Sequence, residues 1–465
     1  MMKEEIEQQG QRGQHDVPEI IPRGKGLLIN RNFALLSLGQ AISNLGDFVY
    51  TTTLLIWVFA LTHSSVAASG VVLAQYVPIF LLGPFAGVFV DRWNRRRTMV
   101  LSDAARMIIA LLPLAVPLFL RLPAIYTSVF LISALSRFFM PAKSGVLQVI
   151  VAGEQQAQAT SISQTGFALS FVIGPAIAGP LYAFTGPVIA LLINAASYLI
   201  SALSIASIHA SRRTLHPYAS KRGEHRQQEQ GGVRAVVSDL AAGFRFVLET
   251  RVLLVVVLMA MISMLGAGAL NALDIVFANR NLHVTAQLYG TLVAVCGLGT
   301  LVGAILAGLL SKWVKSQYIL TGGVFLLGLG IVVYALQTRY LVALVVSFIM
   351  CIPQGGIDVG FGPLLLNSTP QHLIGRTMSM LETAMYGASL ISIAVAGYAG
   401  QFVPVNVIFV VCGSLLALGG LFGLFAIPAN LPTVQTTVQA ESLNLSELVD
   451  TSLASIPMLD TQREG

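Results

Sequence analysis

Twelve apolar stretches, each near 20 residues, lie between Asn32 and Ile427, and they limit the chain to very few folds. A helix rises about 1.5 Å per residue and a hydrocarbon core is about 30 Å thick, so each stretch can cross a bilayer. Inside lipid the backbone N–H and C=O groups must be satisfied within the segment, which leaves helices as the solution for runs of this length. The spans fall near 33–61, 65–90, 98–119, 124–148, 157–183, 187–208, 252–278, 286–311, 318–337, 340–364, 377–400 and 404–427. Only 10% of residues are charged and mean hydropathy is +0.77. A soluble domain carries about 25% charged residues. The fold class is therefore all-α, a polytopic membrane protein with twelve transmembrane helices.

Residues 1–31 are polar and lack the apolar core of a cleavable signal, so span one is expected to act as an uncleaved one. Of the 27 lysines and arginines, twenty-two fall in segments that share one side with the N-terminus. Arg121, Arg280 and Arg339 fall on the other side, and Arg106 and Arg137 lie within spans. This bias sets orientation, with both termini cytoplasmic in a bacterial type of cell membrane. Cys296, Cys351 and Cys412 fall inside spans without CxxC spacing, so they read as small buried apolar residues. No metal site is indicated.

The spans divide six and six around a basic segment. The expected organisation is a tail at 1–31, a six-helix bundle at 32–208, a basic linker at 209–251, a second bundle at 252–427 and a tail at 428–465. Within the linker Val233, Val236, Val237, Leu240, Phe244 and Val247 share a helical face, which suits a helix on the inner membrane surface or one packed against the bundle. The halves echo one another. Leu45-Gly46 recurs as Leu265-Gly266, Ala86-Gly87 as Ala307-Gly308 and Trp93 as Trp313, at offsets of 220 or 221. Parallel six-helix repeats, pseudo-symmetric about an axis along the membrane normal, suit a transporter of alternating access.

The loop after span two carries the sharpest motif. Gly87 admits a close neighbouring helix, and Asp91 follows one turn later, where it can cap the N–H groups of another helix. Arg92, Arg95, Arg96 and Arg97 hold the turn at the anionic inner surface. This Gly87…Asp91-Arg92…Arg95-Arg96-Arg97 pattern resembles the signature loop of the major facilitator superfamily. Asn94 stands where the family has a glycine, a departure read as tolerable because Asn adopts left-handed turns. The resemblance implies that Asp91 contacts the start of span eleven, near Gly375-Arg376-Thr377, and closes an inner gate. Arg31-Asn32-Phe33-Ala34-Leu35-Leu36, Phe138-Phe139-Met140-Pro141-Ala142 and Thr369-Pro370-Gln371-His372-Leu373-Ile374-Gly375-Arg376 resemble the exporter branch that includes macrolide-efflux and enterobactin-exporter proteins. Gly174-Pro175…Gly179-Pro180 in span five resembles the Gly-Pro motif of proton antiporters. Gly174, Pro175 and Gly179 also suit a kink or close helix packing.

A charge at the bilayer centre costs about 2.5–3.5 kcal/mol, so it faces a cavity or a partner. No histidine lies deep in a span, and carboxylates must carry any coupled proton. Asp47 shares a polar face with Asn44 and Tyr50. Because span one lines the central cavity in the resembled fold, Asp47 is the first choice for proton or substrate binding, a structural aspartate paired to Arg137 or a hydroxyl being the alternative. Arg137, Asn271, Asp274 and Gln354 are further binding candidates, and Gln75, Tyr76, Asn194 and Tyr198 can line the pocket. Asp103 and Arg106, near the inner end of span three, suit a pair with each other or with the Asp91 loop at the inner gate. Asp358 and Glu382 suit the inner gate, with helix pairing as the other reading.

The functional expectation is export of a small amphipathic compound of drug, macrolide or siderophore type by proton antiport. Open alternatives are a lysophospholipid flippase, a proton-independent facilitator or importer, and a sensor or scaffold that does not transport. No GxxxxGK[ST] loop occurs, which argues against direct ATP drive, and no His-Glu metal motif or nucleophile elbow, which argues against an enzyme. No cofactor is expected. The partners expected are the small-molecule substrate, protons and membrane lipids, with no nucleic acid, around a monomer.

Overall fold

The computed structural model describes residues 29–90, 92–208, 241, 244, 245, 247–249, 251–369 and 374–426. Twelve helical segments within them are long and apolar enough to cross a membrane, the third running Arg95–Ala115 in two pieces. They are α1 (Arg31–Thr62), α2 (Ser65–Val90), α3 (Arg95–Ala110), α4 (Arg121–Ile150), α5 (Gln156–Thr185) and α6 (Pro187–Ala206) in the first half. The second half holds α7 (Arg251–Arg280), α8 (Ala286–Leu310), α9 (Ser316–Ala335), α10 (Tyr340–Ser368), α11 (Ile374–Ala399) and α12 (Val405–Ala426). The end that carries residues 92–94 and 311–315 is the inner end on the orientation that the basic residues imply.

Each half forms its own bundle, and the two bundles repeat one packing scheme. α1 packs on α5 and α6, α2 on α4, and α3 on α4 and α6; six helices later, α7 packs on α11 and α12, α8 on α10, and α9 on α10 and α12. The bundles meet along α2 against α11 and along α5 against α8, again a symmetric pair of contacts. The glycine repeat acquires its physical meaning here. A methyl group on Gly46 would collide with Ser197 and Asn194 of α6, and one on Gly266 with Leu416 of α12. Both glycines let the first helix of a bundle press against its sixth.

Local chemistry sets the ends. Asn30 caps α1 by accepting the Phe33 N–H at 2.8 Å, and its Nδ2 donates to the Ile150 carbonyl at 2.7 Å, joining the start of α1 to the end of α4. Gly186, at φ 68°, turns the chain from α5 directly into Pro187 at the first position of α6. Asn94 departs from expectation. It sits at φ −71° in extended backbone and accepts the Arg97 N–H at 3.0 Å, so it serves as the N-cap of α3 and not as a left-handed turn.

The expected third span at 98–119 is broken. α3 stops at Ala110, a four-residue helix follows at Leu112–Ala115 and a 3-10 turn at Leu118–Leu120. Pro113 and Pro117 cause this, since each lacks the N–H that would continue the ladder. The cysteines also correct the sequence reading. Cys296 of α8 and Cys351 of α10 form a disulfide with Cα atoms 5.3 Å apart, whereas Cys412 is free. Gly299, Gly303 and Gly355 let these two helices touch backbone to backbone, which brings together cysteines 55 positions apart. Most of the expected linker helix lies outside the described residues. Within the described part, Val247 is buried against Leu253, Val257, Met380 and Leu381, which is packing on the bundle, while Phe244 is exposed.

Candidate functional site

The first bundle encloses a connected set of polar side chains where a lipid-facing protein would otherwise be apolar. Asp103 and Arg106 of α3 form an ion pair at 2.6 Å, with side chains only 0% and 5% exposed. Their i, i+3 spacing on one helix face makes the pairing local. Asp103 accepts the Ser201 hydroxyl of α6 at 2.7 Å, and Ser201 in turn accepts Gln40 Nε2 of α1 at 3.0 Å. Arg106 lies over the rings of Phe139 (4.4 Å) and Tyr198 (5.0 Å) and reaches Ser136 at 3.4 Å. Tyr198 then donates its hydroxyl to Asp47 Oδ1. Four helices thus share one network running from Gln40 to Asp47. It offers what a buried charge needs, namely an opposite charge, hydroxyl donors and aromatic faces.

This arrangement places Asp47 against α6. Its carboxylate is directed to Tyr198, and Asn194 and Tyr198 are fully buried inside the bundle, so neither lines the pocket between the bundles. Tyr50, 3% exposed, bonds Ser128 of α4 at 3.0 Å and also belongs to the interior. Asn44 is half-buried. Asp47 itself is half-buried, and its bond to a hydroxyl fits a structural role and a proton-binding role alike. The partner was invisible in the sequence because Tyr198 lies 151 residues away.

The second bundle holds a simpler counterpart. Asp274 of α7 accepts the Tyr334 hydroxyl of α9 at 2.9 Å, and Tyr334 packs with Phe277 and Phe409. Asp274 is thus tied to its own bundle and remains half-buried. Asn271, one turn earlier, is exposed. Gln354 donates to Asp358 at 3.2 Å along α10, with Asp358 exposed.

Between the bundles, Ile79, Gly83 and Pro84 of α2, Arg137 of α4 and Ser379, Glu382, Thr383 and Tyr386 of α11 line a cavity of about 30 Å³. Tyr76 packs edge-on against Tyr386 across the interface at 5.7 Å. Arg137 keeps its Nε buried without a hydrogen-bond partner among the described residues, and Glu382 is exposed. These two side chains, from different bundles, bring opposite charges to one cavity.

The outer end is packed shut. Ser65 of α2 donates to the Gly397 carbonyl of α11 at 3.1 Å, and a methyl on Gly290 of α8 would collide with Pro175 and Gly179 of α5. Gly174 lies instead against Leu45 and Phe48 of α1. At the inner end, methyl groups on Gly83, Gly87, Gly308 or Gly375 would meet nothing within 4 Å. Among the described residues, none makes the close approach expected at Gly87. Asp91 and the Arg376 side chain lie outside the described residues, and so does their expected contact. Arg95 and Arg96 turn to their own bundle, donating to Gly145 of α4 at 3.4 Å and to Ile205 and Ala206 at the end of α6. Arg92 is exposed.

Residues 27–455 match the family described as transmembrane secretion effector. The chain belongs to the major facilitator superfamily. This superfamily member is 27% identical over 399 residues to the MFS-type transporter YfiS of Bacillus subtilis, covering 83% of this chain and 90% of that one. It is 25% identical to multidrug efflux pump Tap of Mycolicibacterium fortuitum (78% and 87% covered) and 21% to macrolide efflux protein A of Streptococcus pyogenes (81% and 91%). Among solved structures, a peptide transporter of POT type superposes with TM-score 0.70 at 12% identity, covering 87% of this chain and 96% of that one. Nucleoside transporter NupG gives 0.69 at 11%, covering 85% and 100%. These two likenesses concern the fold. The superfamily member is a multi-pass membrane transporter and not an enzyme.

Proposed function

We propose that the protein exports a small amphipathic compound from the cytoplasm by alternating access, with inward proton movement as the driving force. Both termini face the cytoplasm in this reading. The observation that carries it is the half-buried carboxylate Asp47 within a membrane span, held by Tyr198 and through that ring beside the Arg106–Asp103 pair. A carboxylate in such a place changes its hydrogen-bonding and ionic partners whenever it gains or loses a proton, which ties protonation to the packing of α1, α3, α4 and α6. Export, as opposed to uptake, is supported by the likeness to multidrug efflux pump Tap and macrolide efflux protein A.

Substrate enters the space between α2, α4 and α11, where Arg137, Glu382 and Tyr386 supply charge and an aromatic face. Gln354 and Asn271 add polar contacts in this reading. Asp91, Gly375, Arg376 and Asp358 close the inner end when the bundles rock. The test is retention of macrolides, a catecholate siderophore and cationic dyes in cells expressing the protein, with and without a protonophore, beside Asp47→Asn. Lower retention that both treatments abolish is the expected result. Export that the protonophore stops but Asp47→Asn leaves intact removes Asp47 from the coupling step. Unchanged retention of every compound sinks the drug-export reading.

A further inference from the structure

Arg280 is one of three basic residues that the charge bias leaves on the outer side, and the polar network of the first bundle makes no use of it. It is the last residue of α7. Its guanidinium donates Nη1 to the Gly400 carbonyl at 3.1 Å and Nη2 to the His63 carbonyl at 3.3 Å. Both acceptors end helices. Gly400 follows the last residue of α11, and His63 is the C-cap of α1, held in the left-handed region at φ 49°. The C-termini of α1, α7 and α11 therefore converge on one cation. Each helix end carries partial negative charge, so the cation is favoured there for more than its two hydrogen bonds.

The two acceptors differ in what they report. Gly400 belongs to the same bundle as Arg280, whereas His63 belongs to the other. Rocking the bundles apart at the outer end can preserve the first bond but must break the second. The neighbouring contacts share this fate: Ser65 bonds the Gly397 carbonyl, Gly397 presses against Ser69 with no room for a side chain, and Gly400 lies close against Ser65. Small residues bring α2 and α11 together, and Arg280 spans the joint.

We infer that Arg280 is the outer-gate latch, a positioning residue that holds the cytoplasm-open state by bridging the helix ends of opposite bundles. Because the bond exists only while the outer end is shut, it stabilises one state of the transport cycle and not the other. An arginine suits this place because its fork reaches two carbonyls at once, which a lysine ammonium does less well. The inference rests on the two-bundle fold and stands whatever the substrate or coupling ion is.

The test measures distances by pulsed electron spin resonance in lipid nanodiscs, on a Cys412→Ala background. One pair of labels reads the outer end (Phe184→Cys and Leu336→Cys) and one the inner end (Thr160→Cys and Trp313→Cys), all at exposed positions. Arg280→Ala is expected to raise the ratio of outward-open to cytoplasm-open protein about fivefold, the size suited to a charged hydrogen bond at a partly exposed site. The outer distance lengthens and the inner one shortens. Arg280→Gln, which retains a side-chain amide donor, gives a smaller shift in the same direction and serves if the alanine variant does not fold. Unchanged distance distributions in folded variants overturn the latch, and so does a shift toward the cytoplasm-open state.

Discussion

The Arg106–Asp103 pair allows a sharp quantitative test. Asp103 is wholly buried, with Arg106 at 2.6 Å and the Ser201 hydroxyl at 2.7 Å. Arg106→Met leaves that carboxylate with the single hydroxyl, and removing one member of a buried pair costs about 3–5 kcal/mol. Asp103→Asn leaves Arg106 in place, still over the rings of Phe139 and Tyr198. A desolvated cation over an aromatic face keeps about 2 kcal/mol, so this substitution is the milder, at about 2–3 kcal/mol. The double variant removes both charges and keeps similar volume, and it is expected to cost about 2–3 kcal/mol in total. The singles therefore sum to about 5–8 kcal/mol, and the coupling between them is about 2–6 kcal/mol. The assay is unfolding by sodium dodecyl sulfate in mixed micelles, followed by the fluorescence of the three tryptophans. Additivity of the two single costs to within about 0.5 kcal/mol would refute the claim that the pair acts as a buried unit.

Three further outcomes follow from the packing. Gly303→Ala would place a methyl group on the Ile352 backbone and is expected to cost about 1–3 kcal/mol in the same micelle titration, whereas Gly308→Ala, which meets open space, stays within about 0.5 kcal/mol of the parent; equal costs would contradict the α8–α10 contact. Tyr198→Phe withdraws the hydroxyl from Asp47 and is expected to lose about 1–3 kcal/mol of stability and to slow transport, read by unfolding and by dye efflux; a variant matching the parent in both excludes that bond from any role. Denatured protein treated with a maleimide under non-reducing conditions is expected to gain one label, at Cys412, and three after reduction, as read by mass; three labels before reduction would exclude the Cys296–Cys351 bond.

The number of spans, the six-and-six division and the superfamily were legible because each rests on local evidence. Hydrophobic length is a property of a window, and the Gly46/Gly266 and Gly87/Gly308 echoes repeat at a nearly constant offset. The break of α3 was legible in principle from Pro113 and Pro117, but hydropathy alone ran through it. Asp103 and Arg106 could be seen as partners because three residues on a helix bring them together. Tyr198 with Asp47, Tyr334 with Asp274 and Cys296 with Cys351 could not, since each pair lies on different helices.

By itself the sequence determined that this chain lives in a membrane, how many times it crosses and which end its basic residues favour, because the cost of exposing backbone and charge to lipid is paid segment by segment. Only the tertiary structure decided where each buried charge points. A helix wheel shows that Asp47 is on a polar face; it does not show whether that face meets the pocket or a neighbouring helix. That choice depends on the rotation of α1 against α6, which Gly46 permits and Ser197 and Asn194 limit. The same holds for Arg280, whose partners are helix ends from two bundles that no spacing rule could bring together.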